Sequence, residues 1–164
     1  YTSWINRMPW LCLIAPGTGF GLIMVGGSYY ALVGESSVTV LLVSLIPFFL
    51  VNNLLLLNQY PDIQADRSVG RNHFPIRYGV AVSNRVFLGF LMCSAALLVG
   101  LILDQRLPAL AWLSLLALAP ALFAYSGARK YGNTIGQQTQ YLAANVASVL
   151  LTPLLLALSI LFGG

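Results

Sequence analysis

Charged side chains are scarce in this sequence. Only 7% of its 164 residues are Asp, Glu, Lys or Arg, whereas a soluble domain is normally about a quarter charged. Acidic residues are half as numerous as basic ones, with four against eight, and there is a single histidine. Apolar residues make up 59% of the chain, and its mean hydropathy is +0.83. These shortages exclude an ordinary soluble domain.

Cysteine is nearly absent as well. Cys12 and Cys93 lie in or beside apolar stretches, far apart in the sequence and without the spacing of metal ligands. We expect both to be buried free thiols, which excludes a disulfide framework or a cysteine metal site.

What the sequence has instead is long apolar runs. Five windows contain no charged residue, and each approaches or exceeds the ~20 residues that cross a bilayer: Pro9–Val33, Val38–Leu57, Val86–Leu103, Pro108–Tyr125 and Tyr141–Phe162. We predict an all-α, polytopic transmembrane bundle of five helices within one domain over residues 1–164. A signal peptide does not fit, because the apolar runs recur along the whole chain and the start has no cleavage pattern.

The basic residues predict the orientation of the bundle, since Lys and Arg are retained on the cytoplasmic side. If the chain enters from the cytoplasm, one side holds Arg7, Arg67, Arg71, Arg77, Arg85, Arg129 and Lys130. Arg106 alone falls opposite, with the acids Glu35 and Asp104. The net charge of +4 is therefore mainly a topology signal, and no nucleic-acid partner is expected.

Some residues within the spans indicate packing. Gly17 and Gly21 form a small-xxx-small pair that predicts close approach of a neighbouring helix. Pro47 predicts a kink of the kind that opens a cavity in membrane proteins. For Asn52 and Asn53 two interpretations remain open: they face that cavity, or they bond neighbouring helices together.

The stretch NQYPDIQADRSVGRNHFPIRYG, residues 58–79, gathers two of the four acids, three arginines and the only histidine. It belongs to a cytoplasmic loop expected over residues 58–85. Pro61 is favoured in the first turn of a helix, so Asp62 to Val69 can form either a fresh helical turn or a kinked continuation of the preceding helix, which Gly70 ends. Asp62 and Asp66, four apart, then share one face, and Asn58 would extend that row.

Two aligned carboxylates favour a shared cation. Mg²⁺ fits, because it takes oxygen ligands and is commonly held by one or two carboxylates together with substrate phosphates. Arg67 and Arg71, also four apart, suit phosphate oxygens, so the pattern indicates a metal-bridged diphosphate. The alternative is a loop whose Asp and Arg residues simply pair in water. For His73 a solvated or loop-packing position is favoured over catalysis.

These residues carry a family resemblance. The pattern Asn58-x-Tyr60-Pro61-Asp62-x-x-Ala65-Asp66-x-x-x-Gly70-Arg71, followed by Ile76-Arg77-Tyr78-Gly79, resembles the second aspartate-rich motif of the UbiA superfamily of intramembrane prenyltransferases. The likeness is closest to the 1,4-dihydroxy-2-naphthoate prenyltransferase branch. Gln59 departs from the family pattern, because an acidic residue is frequent at that position.

The resemblance implies a bundle of about nine transmembrane helices, whose backbone groups are satisfied internally. It implies Mg²⁺-dependent transfer of an isoprenyl group from a prenyl diphosphate to an aromatic acceptor, in quinone or related prenyl-lipid biosynthesis in the bacterial cytoplasmic membrane. Asp62 and Asp66 would hold the metal and act as the catalytic residues. The diphosphate would be bound by Asn58, Arg67, Arg71 and Arg77.

The allylic cation of such a reaction needs a dry pocket with electron-rich walls. The aromatic residues near the motif are candidates for cation–π contact, although each also suits plain packing or an interfacial belt. They are Phe48, Phe49, Tyr60, Phe74 and Tyr78.

One part of the family's site is missing from this sequence. Glu35 and Asp104 are the only acids outside the loop, so the first aspartate-rich motif has no counterpart. Tyr1 to Arg7 resemble the segment that enters the family's fifth helix. We expect a C-terminal half that needs an N-terminal half as partner and is inactive alone. The alternatives are half of an ion-coupled transporter and a non-catalytic membrane subunit.

Overall fold

The structure, a computed structural model, describes residues 4–163, apart from the side chain of Asn6. Tyr1 to Ser3 of the predicted entering segment lie outside the described residues. Helices follow one another in the order α1 Pro9–Val33, α2 Val38–Asn58, α3 Ile63–Ser68, α4 Phe74–Leu103, α5 Ala109–Gln137 and α6 Thr139–Phe162. All except α3 are long and apolar enough to cross a membrane. The all-α, five-span prediction is therefore confirmed, with no strand in the described part.

Two of these helices are composite. In α1, an α-helical start over Pro9–Gly17 passes into a π-helical stretch over Thr18–Gly27. In α5, a 3₁₀ turn at Ala109–Trp112 and a short helix precede the main helix Ala119–Tyr131, and a second 3₁₀ turn, Gly132–Gln137, ends the span.

Helices α1 and α2 are in backbone contact at two glycines. A Cβ atom on Gly17 would lie 2.2 Å from the Phe48 carbonyl oxygen, and one on Gly21 would lie 2.6 Å from the Phe48 nitrogen. Any side chain at either position would push the helices apart. The predicted close approach at the small-xxx-small pair is confirmed.

Helix α2 lies at the centre and packs against α1, α4 and α6. Its asparagines hold these contacts together: Asn52 Oδ1 accepts from the Gly17 N–H at 2.7 Å, and Asn53 Nδ2 donates to the Phe87 carbonyl at 2.9 Å. Asn145 Nδ2 of α6 in turn donates to the Asn53 carbonyl at 3.3 Å. All three side chains are buried, so of the two interpretations the structure supports bonding between helices. Helix α2 continues through Pro47.

The third long helix begins earlier than its charge-free window. Helix α4 starts at Phe74, whereas the window starts at Val86, because Arg77 and Arg85 interrupt the apolar run without interrupting the helix. Both arginines are exposed on the helix surface. A break occurs at Gly79, whose φ of 81° and ψ of 165° are accessible essentially to glycine alone.

The charges separate between the two ends of the bundle. At one end, Arg106 Nη1 donates to Thr39 Oγ1 at 3.2 Å and the Arg106 guanidinium also pairs with Asp104. Helix α3 and the Gly132–Gln137 turn lie at the other end, which we call the α3 end. The remaining basic residues lie in the loops at the α3 end or in the parts of the helices nearest to it, as expected. That the α3 end is cytoplasmic remains a prediction.

Candidate functional site

Helix α3 forms as the sequence predicts. Asp62 takes the N-cap position after Pro61, and the Asp66 N–H donates to the Asp62 carbonyl at 2.8 Å, one helical turn along. Gly70, with a φ of 78°, then reverses the chain in a left-handed conformation that favours glycine. Buried Tyr60 anchors the start of this segment, because its hydroxyl donates to Asn84 Oδ1 of α4 at 2.9 Å.

Asp66 is the centre of a small polar network. Its Oδ1 accepts from Arg71 Nη1 at 2.8 Å, and its Oδ2 accepts from His73 Nε2 at 3.0 Å. The backbone closes the same loop, since the Arg71 N–H donates to the Asp66 carbonyl at 3.0 Å. Both carboxylate oxygens are therefore oriented by the chain that follows the Gly70 reversal.

His73 occupies a buried position, as the loop-packing interpretation requires. Burial lowers the pKa of the imidazole, and the nearby negative charge of Asp66 acts in the opposite direction. The neutral ring donates through Nε2, and its Nδ1 atom is buried without a partner among the described residues. The contact with Asp66 is what sequence reasoning missed, because a spacing of seven residues gives no sign of a reversal that brings the two together.

Arg71 forms an ion pair with a carboxylate of the loop, as the alternative interpretation expects, and does not lie beside Arg67 on a helix. Helix α3 ends at Ser68, so Arg67 and Arg71 do not share a helical face, and Arg71 pairs with Asp66 instead. Only one guanidinium nitrogen is used, and the side chain is 46% exposed. Its other donors remain available to a ligand.

The other predicted site residues lie on the segments that meet at the α3 end, from the last residue of α2 to the start of α4. The side chains of Asn58, Asp62, Arg67 and Arg77 are exposed. None of them forms a hydrogen bond or ion pair within residues 4–163. Their polar groups are therefore not engaged by other described side chains.

Asp62 and Asp66 carry the carboxylate oxygens at this end, which are donors of the kind that Mg²⁺ takes. No group of three His, Cys, Asp or Glu side chains in the described part could hold a metal ion. Asp62 and Asp66 alone supply carboxylates, and each oxygen of Asp66 keeps a lone pair beyond the bond it already accepts. A cation bound here would complete its shell with water and phosphate oxygens, which is the usual manner of Mg²⁺ in diphosphate sites.

The aromatic residues near the motif differ in their burial and in their ring contacts. Tyr60 and Phe74 are fully buried in the core. Phe74 also belongs to an aromatic cluster with Trp10 of α1 and Tyr78, where ring centroids lie 4.9 Å and 4.7 Å from Phe74. Trp10 Nε1 donates to the Tyr78 hydroxyl at 3.1 Å. Sequence reasoning omitted Trp10, although a tryptophan at a predicted helix end is typical of an interface.

A cavity of about 420 Å³ opens beside α3 and was not predicted. It is lined by Pro61, Gln64, Asn133, Thr134, Gly136 and Gln137. The 3₁₀ turn Gly132–Gln137 supplies most of the lining and packs on Pro61. The signal was present in the uncharged polar run GNTIGQQTQ, residues 132–140, at the end where the predicted topology also puts Asp62 and Asp66.

Comparison with known proteins identifies the lineage. The sequence profile of the UbiA prenyltransferase family matches residues 1–149, which is most of the chain. No curated protein and no solved structure matches it. Together with its five apolar spans, the match shows that the chain is an integral membrane protein and belongs to the UbiA prenyltransferase family.

Proposed function

We propose that this chain takes part in Mg²⁺-dependent transfer of an isoprenyl group from a prenyl diphosphate to an aromatic acceptor. The observation that carries the proposal is the pair Asp62 and Asp66, one turn apart at the cation-rich α3 end. The motif resembles the 1,4-dihydroxy-2-naphthoate branch. We therefore place the reaction in quinone or related prenyl-lipid biosynthesis, in the bacterial cytoplasmic membrane.

The acidic and basic residues have complementary parts. Asp62 and Asp66 would hold the metal, which when bound neutralises negative charge on the departing diphosphate. Exposed Arg67 and Arg77 and the unused donors of Arg71 bind phosphate oxygens. Asn58 adds a neutral donor at the end of α2. In this arrangement the arginines bind the diphosphate directly, whereas the two carboxylates bind the metal.

Departure of the diphosphate leaves an allylic cation that must be kept from water. The cluster of Trp10, Phe74 and Tyr78 lies at the same end of the bundle. Its ring faces carry the partial negative charge that stabilises a desolvated cation. Phe48 and Phe49, half-buried on α2, offer further ring faces deeper in the bundle.

The reaction needs a second acidic motif. The other two acids of this sequence, Glu35 and Asp104, flank the far ends of α1 and α4. We propose that an N-terminal half carries the first aspartate-rich motif, and that residues 1–164 alone transfer no prenyl group. Two carboxylates supply only part of an octahedral Mg²⁺ shell, and a diphosphate needs positive anchors on more than one side.

The test is transfer of a radiolabelled prenyl diphosphate to dihydroxynaphthoate or hydroxybenzoate in membranes containing the natural full-length protein. Prenylated product that requires Mg²⁺ and disappears on chelation supports the proposal. Ion flux in proteoliposomes with no diphosphate binding would favour a transporter instead. Diphosphate binding with no product from any acceptor would favour the non-catalytic subunit.

A further inference from the structure

We infer that His73 is a positioning residue, which holds the Asp66 carboxylate in the orientation that binds a divalent cation and a prenyl diphosphate. The inference rests on the proposed function and extends it to a residue that does not itself contact the ligand. Its basis is the bond from His73 Nε2 to Asp66 Oδ2 at 3.0 Å.

The two donors to Asp66 differ in rigidity. Arg71 is 46% exposed and reaches Oδ1 from a loop, whereas the His73 side chain is 3% exposed. The backbone of His73 is fixed as well, since its carbonyl accepts from the Ile76 and Arg77 N–H groups at 3.0 and 3.1 Å in the first turn of α4. The imidazole therefore ties the carboxylate to the body of the bundle, and Arg71 is free to respond to a ligand.

Packing alone does not explain an imidazole at this position. Its Nδ1 is buried and has no partner within residues 4–163, and a buried polar atom without a hydrogen bond costs about 1–3 kcal/mol. An apolar side chain of similar size would fill the space without that cost. What the imidazole provides, and an apolar side chain would not, is the hydrogen-bond donor facing Asp66.

A donor in this position matters for metal binding. Carboxylates that ligate a metal are commonly hydrogen-bonded from behind, and loss of such a partner typically costs about 10–100-fold in affinity or activity. With His73 in place, one oxygen of Asp66 is held toward α4, and rotation of the carboxylate is restricted.

The experiment compares substitutions at His73 in the purified full-length protein. His73→Phe and His73→Leu keep the position filled and remove the donor, whereas His73→Gln retains an amide donor near the place of Nε2. Leu98→Ala is the matched control, because Leu98 is fully buried in α4 and its truncation destabilises the same helix far from Asp66.

Two quantities are measured for each variant. One is the Mg²⁺ concentration for half-maximal binding of a radiolabelled, non-transferable prenyl thiolodiphosphate without acceptor. The other is the thermal unfolding midpoint. We expect about a tenfold or larger rise in the Mg²⁺ requirement for His73→Phe and His73→Leu, recovery to within about threefold for His73→Gln, and no change for Leu98→Ala despite its lower midpoint.

The outcomes separate the two proposals. If the wild-type protein shows no Mg²⁺-dependent binding, the proposed function fails. If the wild type binds and the apolar His73 variants keep its Mg²⁺ requirement, the positioning inference fails and the function stands. Loss of the fold in both apolar variants would also overturn the inference, since the imidazole would then serve the structure itself.

Discussion

The Asp66 carboxylate accepts hydrogen bonds from two side chains and, in our proposal, also binds a metal ion. Arg71 and His73 each occupy one of its oxygens, so the charge of Asp66 is partly balanced before any ligand arrives. Asp62, one turn earlier, is exposed and has no such partner among the described residues. The pair thus combines an oriented carboxylate with an unpaired one, which suits a cation that enters with its substrate.

Arg71→Ala tests the phosphate-binding role at this scale. We expect the Kd for prenyl diphosphate to rise by about tenfold or more, because a hydrogen bond to a charged group contributes about 1.5–3 kcal/mol. The Mg²⁺ requirement should change less, since His73 continues to orient Asp66. Equilibrium binding of the radiolabelled diphosphate at saturating Mg²⁺ measures the first quantity, and a Mg²⁺ titration measures the second.

Arg85→Ala is the control, because Arg85 is exposed near the same end on α4 and has no ion pair among the described residues. Equal loss of binding in both variants would indicate a general effect of positive charge rather than a contact made by Arg71.

The spacing of Asp62 and Asp66 was enough to predict that they lie one helical turn apart, and the Asp66 N–H bonds to the Asp62 carbonyl as that requires. The partners of Asp66 were not predictable in the same way. They depend on the Gly70 reversal, which carries Arg71 off the helix and brings His73 back to the carboxylate. Sequence spacing describes regular elements and says little about residues that follow a left-handed turn.

Among the elements, α1 and α2 approach each other closely at Gly21. The Gly21 position faces backbone atoms of Ser44 and Phe48, with a Cβ atom calculated to lie 2.6–2.7 Å away. Gly19, two residues earlier, has open space around it. Helix α1 therefore contains one glycine where an added methyl group would clash, Gly21, and a control glycine where it would not, Gly19.

Gly21→Ala should destabilise the bundle, because the new methyl group would displace backbone rather than a side chain. We expect a loss of about 1–3 kcal/mol, the usual cost of overpacking, seen as a lower unfolding midpoint in detergent. Gly19→Ala should leave the midpoint unchanged or slightly higher, since alanine favours a helix over glycine. Equal midpoints for the two variants would refute the close contact.

The helices were predicted better than their boundaries. Charge-free windows located all five spans, because hydrocarbon excludes charge, yet α4 begins at Phe74 rather than Val86. A helix can extend beyond the apolar layer and expose Arg77 and Arg85 to water. The π-helical stretch Thr18–Gly27 has no comparable signal, because it depends on how α1 packs against α2.

For the whole molecule, the charge distribution predicts orientation. Cysteine introduced at Asn72 should be labelled by an impermeant reagent from the cytoplasmic side, and cysteine at Ser36 from the opposite side, after Cys12 and Cys93 are replaced. The reason is retention of basic residues in the cytoplasm, seven of which lie toward the α3 end. Labelling of both positions from the same side would refute the topology.

The cavity beside α3 brings together residues whose proximity the sequence did not predict. Gln64 and Asn133 lie far apart in the sequence yet line one space, because α2 and α5 both end at the α3 end. The polar run at residues 132–140 was visible from the start. Its position next to the aspartates depends on how the helices pack against one another, which cannot be predicted from any one segment of the sequence.

The central claim, that Asp62 and Asp66 form one functional unit, is tested most directly by Mg²⁺-dependent prenyl transfer in membranes containing the full-length protein. Asp62→Asn and Asp66→Asn should each lower turnover by at least about tenfold, and the double variant should be little worse than either, because residues sharing one function are not additive. Glu35→Gln, which removes an exposed acid at the opposite end, should retain wild-type turnover. Near-normal, Mg²⁺-dependent turnover in the double variant would contradict the account.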